Sequence, residues 1–224
     1  MRLLRRLLGS KDDGAEFRSE DYWRARYNQG GTSGAGSYGR LAEHKAQVIN
    51  GLVEELDVRS VVEFGSGDGN QCSLLRCPRY LGVDVSPTAV AACALRFRDR
   101  PDWSFMTLEE FRAAPRQADL ALSLDVIYHL TEDEVFEDYM QRLFAAATRL
   151  VLIYISDDAM PSKARHVRHR RYSDWVAAHA PEFGLLRSYE QPYPMRRGSD
   201  PRQTSFAHFK LFGRTRPEPK EGRS

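Results

Sequence analysis

Short apolar runs alternate with helical segments from residue 59 onward, and this alternation leaves few folds open to the chain. Five runs predict β-strands: SVVEF (60–64), YLGVD (80–84), WSFMT (103–107), DLALSL (119–124) and LVLIYIS (150–156). The segments that separate them predict helices: NQCSLLRC, PTAVAACALRFRD, LEEFRAA and EDEVFEDYMQRLFAAAT. Strands that alternate with helices form a parallel sheet with crossover helices. The alternation therefore predicts an α/β fold.

Two further apolar runs, FGLLRSYEQ (183–191) and SFAHFKLFG (205–213), follow without a full helix between them. We expect this last pair of strands to be antiparallel. The complete prediction is a doubly wound, Rossmann-like sheet of seven strands in which the last strand is antiparallel. Before the sheet, SEDYWRARYNQ (19–29) and LAEHKAQVINGLVEEL (41–56) have the apolar spacing of helices.

The chain of 224 residues has the length of one α/β domain with additions at its ends. We predict N-terminal helices and a glycine-rich segment in 1–40, and a main domain in 41–213 that carries an insert at 157–180. The charged, proline-containing stretch 214–224 has nothing to bury, which predicts a disordered tail.

Composition limits the partners that the protein can have. The 33 Lys and Arg against 31 Asp and Glu give a net charge of +2, which argues against a protein that wraps nucleic acid. No stretch approaches the roughly 20 apolar residues of a membrane span. The basic start MRLLRRLLGS could touch a membrane surface as an amphipathic helix, or pack on the domain. The 3 cysteines form no CxxC pair, which points to a reducing compartment, and we predict a cytoplasmic protein.

The turn after the first strand carries the clearest ligand signal. In VVEFGSGDGNQ (61–71), glycines follow an apolar strand and an acid, so the backbone can bend tightly and a ligand can approach the main chain. A dinucleotide fingerprint would need a third small residue where Asn70 stands, so the NAD pattern fails. Asp84, about 20 residues after the first glycine, ends the second strand, where an acid can bind ribose hydroxyls.

The pattern ExGxGxG, together with GVDVSPTAV, resembles motif I and the following segment of the class I S-adenosylmethionine-dependent methyltransferases. The resemblance spans roughly residues 41–156 and implies a seventh, antiparallel strand and S-adenosylmethionine as cofactor. Many relatives have an acid after the third strand, where this chain has Met106 and Thr107. The resemblance assigns cofactor roles to Glu63 at the methionine amino group, Gly65 and Gly67 along the turn, Asp84 at the ribose and Val85 beside the adenine.

Residues after the fourth strand should face the group that accepts the methyl, because ligands of open α/β sheets bind beyond the strands' carboxyl ends. Here SLDVIYHLTEDE places Asp125, Tyr128 and His129 within one turn. Three roles remain open for His129: a general base that takes a hydroxyl proton, a contact without proton transfer, or a core residue. We assign Asp125 to the cofactor as an orienting carboxylate and Tyr128 to the acceptor.

The fifth strand ends in YISDDAMP, which leaves open a metal site. Asp157 and Asp158 could join Asp125 as oxygen ligands of Mg²⁺. The alternative, which our site prediction adopts, is that the adjacent acids are turn residues and that no metal is bound.

A basic insert, SKARHVRHRRYSDW (162–175), follows the same strand. It is either a solvated cationic loop or a cap that grips an anionic or polyhydroxylated acceptor. The residues assigned to the acceptor in the second interpretation are Arg165, His166, His169, Arg170 and Trp175.

The segment GGTSGAGSYGR (30–40) is either a plain flexible loop or a mobile lid. In this family, segments at this position often fold over the cofactor, and we predict a lid in which Tyr38 and Tyr22 close on the methionine end. The resulting hypothesis is S-adenosylmethionine-dependent methyl transfer to a hydroxyl of a small molecule or glycan, with a sugar-like acceptor favoured. A protein or RNA methyltransferase and a catalytically silent cofactor-binding module remain the alternatives; the acceptor and the oligomeric state stay open.

Overall fold

A computed structural model describes residues 17–215 of the chain. The predicted basic helix at the start of the chain and residues 216–224 of the predicted tail lie outside the described residues. In the described part, no helix is long and apolar enough to cross a membrane.

A single seven-stranded sheet forms the centre of the structure, in the order β3-β2-β1-β4-β5-β7-β6. The strands are β1 (Ser60–Phe64), β2 (Arg79–Asp84), β3 (Trp103–Thr107), β4 (Ala118–Leu124), β5 (Ala147–Ile155), β6 (Phe183–Tyr189) and β7 (His208–Arg214). Strands β1 to β5 pair in parallel, whereas β7 lies antiparallel between β5 and β6. The predicted fold class, including the antiparallel last strand, is therefore confirmed.

Six α-helices accompany the sheet among residues 17–215: α1 (Ser19–Asn28), α2 (Gly39–Glu55), α3 (Pro87–Arg96), α4 (Leu108–Ala113), α5 (Asp133–Ala145) and α6 (Tyr172–His179). Local sequence sets several of their starts. Ser86 Oγ accepts from the backbone N–H of Ala89 at the start of α3, and Thr107 and Glu110 form a capping box at the start of α4.

The predicted helix NQCSLLRC is wrong. Only a 3₁₀ turn, Cys72–Leu74, forms there. Asn50 of α2 binds the backbone that follows this turn: its Nδ2 donates to the Leu74 carbonyl at 3.0 Å and its Oδ1 accepts from the Arg76 N–H at 2.7 Å. The predicted start of the tail at 214 is also too early, because Arg214 of β7 pairs with Phe183 of β6 and the Thr215 N–H donates to the Glu182 carbonyl.

Two apolar layers cover the sheet, one on each face. Phe64 of β1 packs in the layer formed with α5 and α6. Val61, three residues earlier in the same strand, packs in the layer formed with α2. Because both faces are covered, the carboxyl edge of the parallel strands is where a ligand can reach the sheet. The segments that follow β1, β2 and β4 meet at this edge.

Candidate active site

A cavity of about 850 Å³, which includes the part open to solvent, lies beyond the carboxyl ends of β1, β2 and β4. Trp23 and Tyr27 of α1 line it together with Ser33 and Ser37 of the glycine-rich segment. The apolar side chains in its wall are contributed by the segments after β2, β3 and β4, and they include Val85, Leu108, Val126 and Leu130. The cavity thus has an apolar wall that suits a flat ring.

The glycine turn needs its glycines for both conformation and space. Gly65 and Gly67 have φ values of 84° and 57°, in the left-handed region that favours glycine. A Cβ on Gly65 would lie 2.4 Å from Cγ2 of Val126, and one on Gly67 would lie 2.2 Å from Oγ of Ser33. Side chains at these two positions would push apart the cavity wall and the glycine-rich segment.

Asp84 is a buried carboxylate at the cavity wall. Its Oδ2 accepts from the Gly67 N–H and its Oδ1 from the Ser86 N–H, each at 2.9 Å. Burial raises the pKa of Asp84 above its ordinary value, and these backbone donors oppose the rise. A carboxylate has about four lone-pair sites, so beside these backbone donors the group keeps capacity to accept a hydrogen bond from a ligand.

Glu63 is not brought to the cavity. Its side chain is buried, and the Tyr80 hydroxyl donates to its Oε2 at 2.6 Å. Burial raises the pKa of Glu63 to about 7. The expected contact of Glu63 with the methionine amino group is therefore corrected: within residues 17–215, its carboxyl is bonded to Tyr80 and does not line the cavity.

Asp125 faces the cavity from the end of β4, and its backbone is left-handed at φ 59°. Nζ of the fully buried Lys45 lies 2.7 Å from its Oδ2, so the two side chains form an ion pair. The Tyr128 hydroxyl makes a long contact of 3.4 Å with Oδ1. A Cβ on Gly36 would come within 2.9 Å of Oδ2, which shows how closely the glycine-rich segment lies over this carboxylate.

Two of the acids considered as Mg²⁺ ligands each form an ion pair with a different lysine. Lys210 pairs with Asp157, which also accepts from the Ser173 N–H, whereas Asp125 pairs with Lys45. Between residues 17 and 215, no three potential ligand side chains of the His, Cys, Asp and Glu types stand together.

His129 lines the cavity, and its protonation is defined by its neighbours. Nδ1 lies 2.8 Å from the carbonyl oxygen of His166, and since a carbonyl only accepts, Nδ1 carries the hydrogen. Burial lowers the pKa of His129 to about 4. At neutral pH the ring is therefore neutral, with an unprotonated Nε2.

The histidines of the insert contact other protein groups. The His166 ring stacks on Tyr22 of α1, with 4.9 Å between ring centroids, and so joins the insert to the N-terminal helix. Nδ1 of His169 lies 2.7 Å from Oγ of Ser156, and its ring contacts Phe206. His166, His169, Tyr128 and the exposed Arg165 stand outside the cavity wall.

The predicted acceptor contacts of Arg170 and Trp175 are corrected. The Arg170 guanidinium pairs with Asp133, donates to the carbonyl of Thr131 and lies over the ring of Phe136. Trp175 is only 7% exposed and donates from its indole N–H to Glu137. Both side chains are engaged within the fold and leave no face toward the cavity.

The glycine-rich segment is fastened to the glycine turn by Asp68. The Ser33 N–H and the Tyr38 hydroxyl both donate to Oδ2 of Asp68, at 2.8 and 2.7 Å. The Asp68 N–H in turn donates to Oγ of Ser33 at 3.0 Å. Tyr38 and Tyr22, both predicted to contact the cofactor, thus stand behind the cavity wall and hold segments that do line it.

Three residues at or near this cavity were not among the predicted site residues, although the sequence pattern around each one indicated its position. Trp23 and Tyr27 are four apart and so share one helical face, which is the face that lines the cavity. Lys45 falls on the apolar stripe of α2, four residues after Leu41, where a charged residue needs a partner.

The strand order, the glycine turn and the buried acid that ends β2 agree with the class of protein that the sequence resembles. A family model described as a methyltransferase domain matches residues 62–152. This match and the fold support a methyltransferase, which is consistent with the class I S-adenosylmethionine-dependent family that the sequence resembles and with S-adenosylmethionine as the cofactor.

Relatives share this description. An uncharacterised methyltransferase of Bacillus velezensis is 24% identical over 177 residues, which cover 74% of this chain and 83% of the relative. The magnesium protoporphyrin IX methyltransferase of Synechocystis PCC 6803 with bound S-adenosylmethionine has a TM-score of 0.65 at 16% identity, over 90% of this chain and 99% of that one. The N-methyltransferase NodS of Bradyrhizobium japonicum with bound S-adenosylhomocysteine has a TM-score of 0.61 at 15% identity, over 78% and 87%.

Proposed function

We propose that the protein transfers the methyl group of S-adenosylmethionine to a hydroxyl of a small molecule or glycan, with His129 as general base. The observation that carries this proposal is the state of His129. Its Nδ1–H is held by the His166 carbonyl, its Nε2 is free of a proton, and its ring lies in the cavity wall. A hydroxyl acceptor has to lose a proton, which an unprotonated Nε2 can take.

The residues of the cavity fit the cofactor. Asp84 has acceptor capacity for ribose hydroxyls, the apolar side chains of Val85 and Leu108 suit the adenine, and Gly65 opens the backbone to close approach. Bound S-adenosylmethionine supplies an electrophilic methyl group on a positively charged sulfur.

The weak basicity of His129 is compatible with this role. A hydroxyl oxygen becomes strongly acidic only as its bond to the methyl carbon forms, so the proton leaves during that step and not before it. Nε2 of His129 takes this proton, while the His166 carbonyl holds Nδ1–H and fixes the ring. Trp23, which contacts the ring edge at 4.8 Å between centroids, and the glycine-rich segment exclude water from the site.

The acceptor is expected to be small because α1 and the glycine-rich segment cover the cavity. Trp23 and Tyr27 of α1 and Ser33 leave no wide groove for a folded protein or RNA among residues 17–215.

The deciding experiment is a screen of acceptors by release of S-adenosylhomocysteine, with mass spectrometry to locate the methyl group. Phenols, sugars and glycan fragments are compared with matched amines. A methyl ether product is expected. A methylamine product would replace the hydroxyl by a nitrogen acceptor, and binding of cofactor without turnover on any acceptor would favour a silent cofactor-binding module.

A further inference from the structure

Lys45 is a charged residue in the apolar interior. It lies on the buried face of α2 with no exposed surface, and its Nζ contacts Oδ2 of Asp125 at 2.7 Å and the ring of Tyr154 at 5.1 Å. A buried ion pair gives little net stability compared with apolar residues of the same size, because both charges lose their hydration. Stability alone therefore does not account for this pair.

The Asp125 end of the pair opens into the cavity. Its side chain is 17% exposed, and it lines the cavity, whereas that of Lys45 is fully covered. Lys45 occupies Oδ2, and among residues 17–215 Oδ1 has only the long contact from the Tyr128 hydroxyl. Oδ1 therefore has capacity for a donor from a ligand.

The position of Asp125 across the sheet matches the far end of the cofactor. Phe64, which precedes the glycine turn, pairs with Val83 on one side and with Ser123 on the other. Asp84 and Asp125 therefore stand on opposite sides of the turn, about 10 Å apart at two strand spacings. If Asp84 takes the ribose, Asp125 faces the amino-acid end.

The amino-acid end of the cofactor carries an α-ammonium group, which needs an acceptor of negative charge. Glu63 does not offer one, because it lies behind the wall with its Oε2 held by Tyr80. We propose that Lys45 is a positioning residue that fixes the Asp125 carboxylate to receive this ammonium group. The proposal rests on the cofactor of the proposed function and not on its acceptor, so a nitrogen-methylating enzyme would give the same result.

The test separates the two ends of the ligand. S-adenosylhomocysteine has the amino-acid end, whereas 5′-methylthioadenosine has the same adenosine and thioether without it. Calorimetry on Lys45→Met should show at least a tenfold weaker Kd for S-adenosylhomocysteine and a Kd for 5′-methylthioadenosine within twofold of wild type. Lys210→Met is the matched control, because it removes the cation from the ion pair with Asp157 outside the cavity wall; both Kd values should stay within twofold.

A second variant separates binding from folding. Removing one partner of a buried pair leaves an uncompensated charge and destabilises a protein, whereas replacing both partners by uncharged residues leaves no such charge. Lys45→Met with Asp125→Asn should regain most of the Tm that Lys45→Met loses, yet stay at least tenfold weaker for S-adenosylhomocysteine. The proposal would be overturned by any of three results. These are recovered affinity for S-adenosylhomocysteine in the double variant, an equal loss of affinity for the two ligands in Lys45→Met, and no loss of affinity for either ligand in that variant.

Discussion

Tyr38 donates a hydrogen bond from its hydroxyl to Oδ2 of Asp68 at 2.7 Å, and so joins the glycine-rich segment to the glycine turn. The same oxygen accepts from the Ser33 N–H, and Asn70 adds a bond from its Nδ2 to the Ser37 carbonyl. Gly34, between Ser33 and Ser37, and Gly39, next to Tyr38, have φ values of 93° and 53°, so the segment has glycines where it would bend. This arrangement favours a lid that opens by breaking one cluster of bonds around Asp68.

Asp68→Ala should release this lid. The variant loses acceptors for Ser33 and Tyr38, and bonds to a charged group contribute roughly 1.5–3 kcal/mol each. We expect faster hydrogen exchange across residues 30–38 and a faster release of S-adenosylhomocysteine in stopped-flow measurements. Tyr38→Phe removes one of these bonds and should give a smaller effect in the same direction. Unchanged exchange in Asp68→Ala would show that the segment is held by other contacts.

Asp84→Asn should weaken cofactor binding. The variant keeps the size of the side chain but loses the charge that strengthens hydrogen bonds to ribose hydroxyls. The Kd for S-adenosylhomocysteine, measured by calorimetry, should rise about tenfold or more. Ser86→Ala is the control: it removes the cap of α3, which costs about 1 kcal/mol of stability, but leaves the carboxylate in place. A Kd in Asp84→Asn within twofold of wild type would contradict the ribose role.

The sheet was predictable because each signal was local. The strands β1 and β3 match their predicted bounds, since their apolar runs are short and are closed by glycine or by helix caps. The segment after Asn70 was not predictable in this way. Its helix-like pattern is overruled by the side chain of Asn50, which lies in another helix and binds its backbone.

Among the residues predicted to bind the cofactor, those with a signal in the local backbone pattern were easier to place at the cavity than those whose side-chain direction decides the contact. Asp84 and Gly65 follow from the ends of β2 and β1, and both line the cavity. The orientation of Glu63 depends on which face of β1 it occupies at the carboxyl edge, and the partner of Asp125 comes from Lys45, 80 residues earlier. Contacts of this kind arise from packing between elements. The spacing of residues along one segment does not predict them.

Arg170→Ala should reduce stability and leave the acceptor KM unchanged. Its guanidinium joins the insert to α5 through Asp133 and the carbonyl of Thr131. We expect a loss of about 1–3 kcal/mol, as for other bonds to charged groups. Arg171→Ala, at an exposed neighbouring position, should change Tm little. A raised acceptor KM in Arg170→Ala with an unchanged Tm would restore the role in substrate binding that the sequence suggested.

His129 should make the protein sensitive to acid. The unfolded chain keeps a histidine pKa near 6.5, whereas burial lowers that of His129 to about 4. Between these values the unfolded state binds more protons, so the free energy of unfolding rises with pH in this window and is lost as pH falls from about 6.5 to about 4. The difference between the two pKa values corresponds to about 3 kcal/mol in the free energy of unfolding. The contribution of His129 is measured by thermal unfolding of wild type and His129→Asn from pH 4 to 7. Asn is suitable because it keeps a donor for the His166 carbonyl and does not titrate.

The same substitution tests the general base. Because the ring is already neutral at pH 5, kcat of the wild type should stay level from pH 8 to about 5 and fall only as the ring becomes protonated near pH 4. His129→Asn should lower kcat by about 10²-fold or more between pH 5 and 8, the contribution of a general base, while binding S-adenosylhomocysteine within a few-fold of wild type. Retained kcat in His129→Asn would mean that the proton leaves to water and that His129 only shapes the wall. A fall of both kcat and cofactor affinity would instead place the ring in cofactor binding, because a base that acts only in the transfer step does not contribute to binding of the demethylated product.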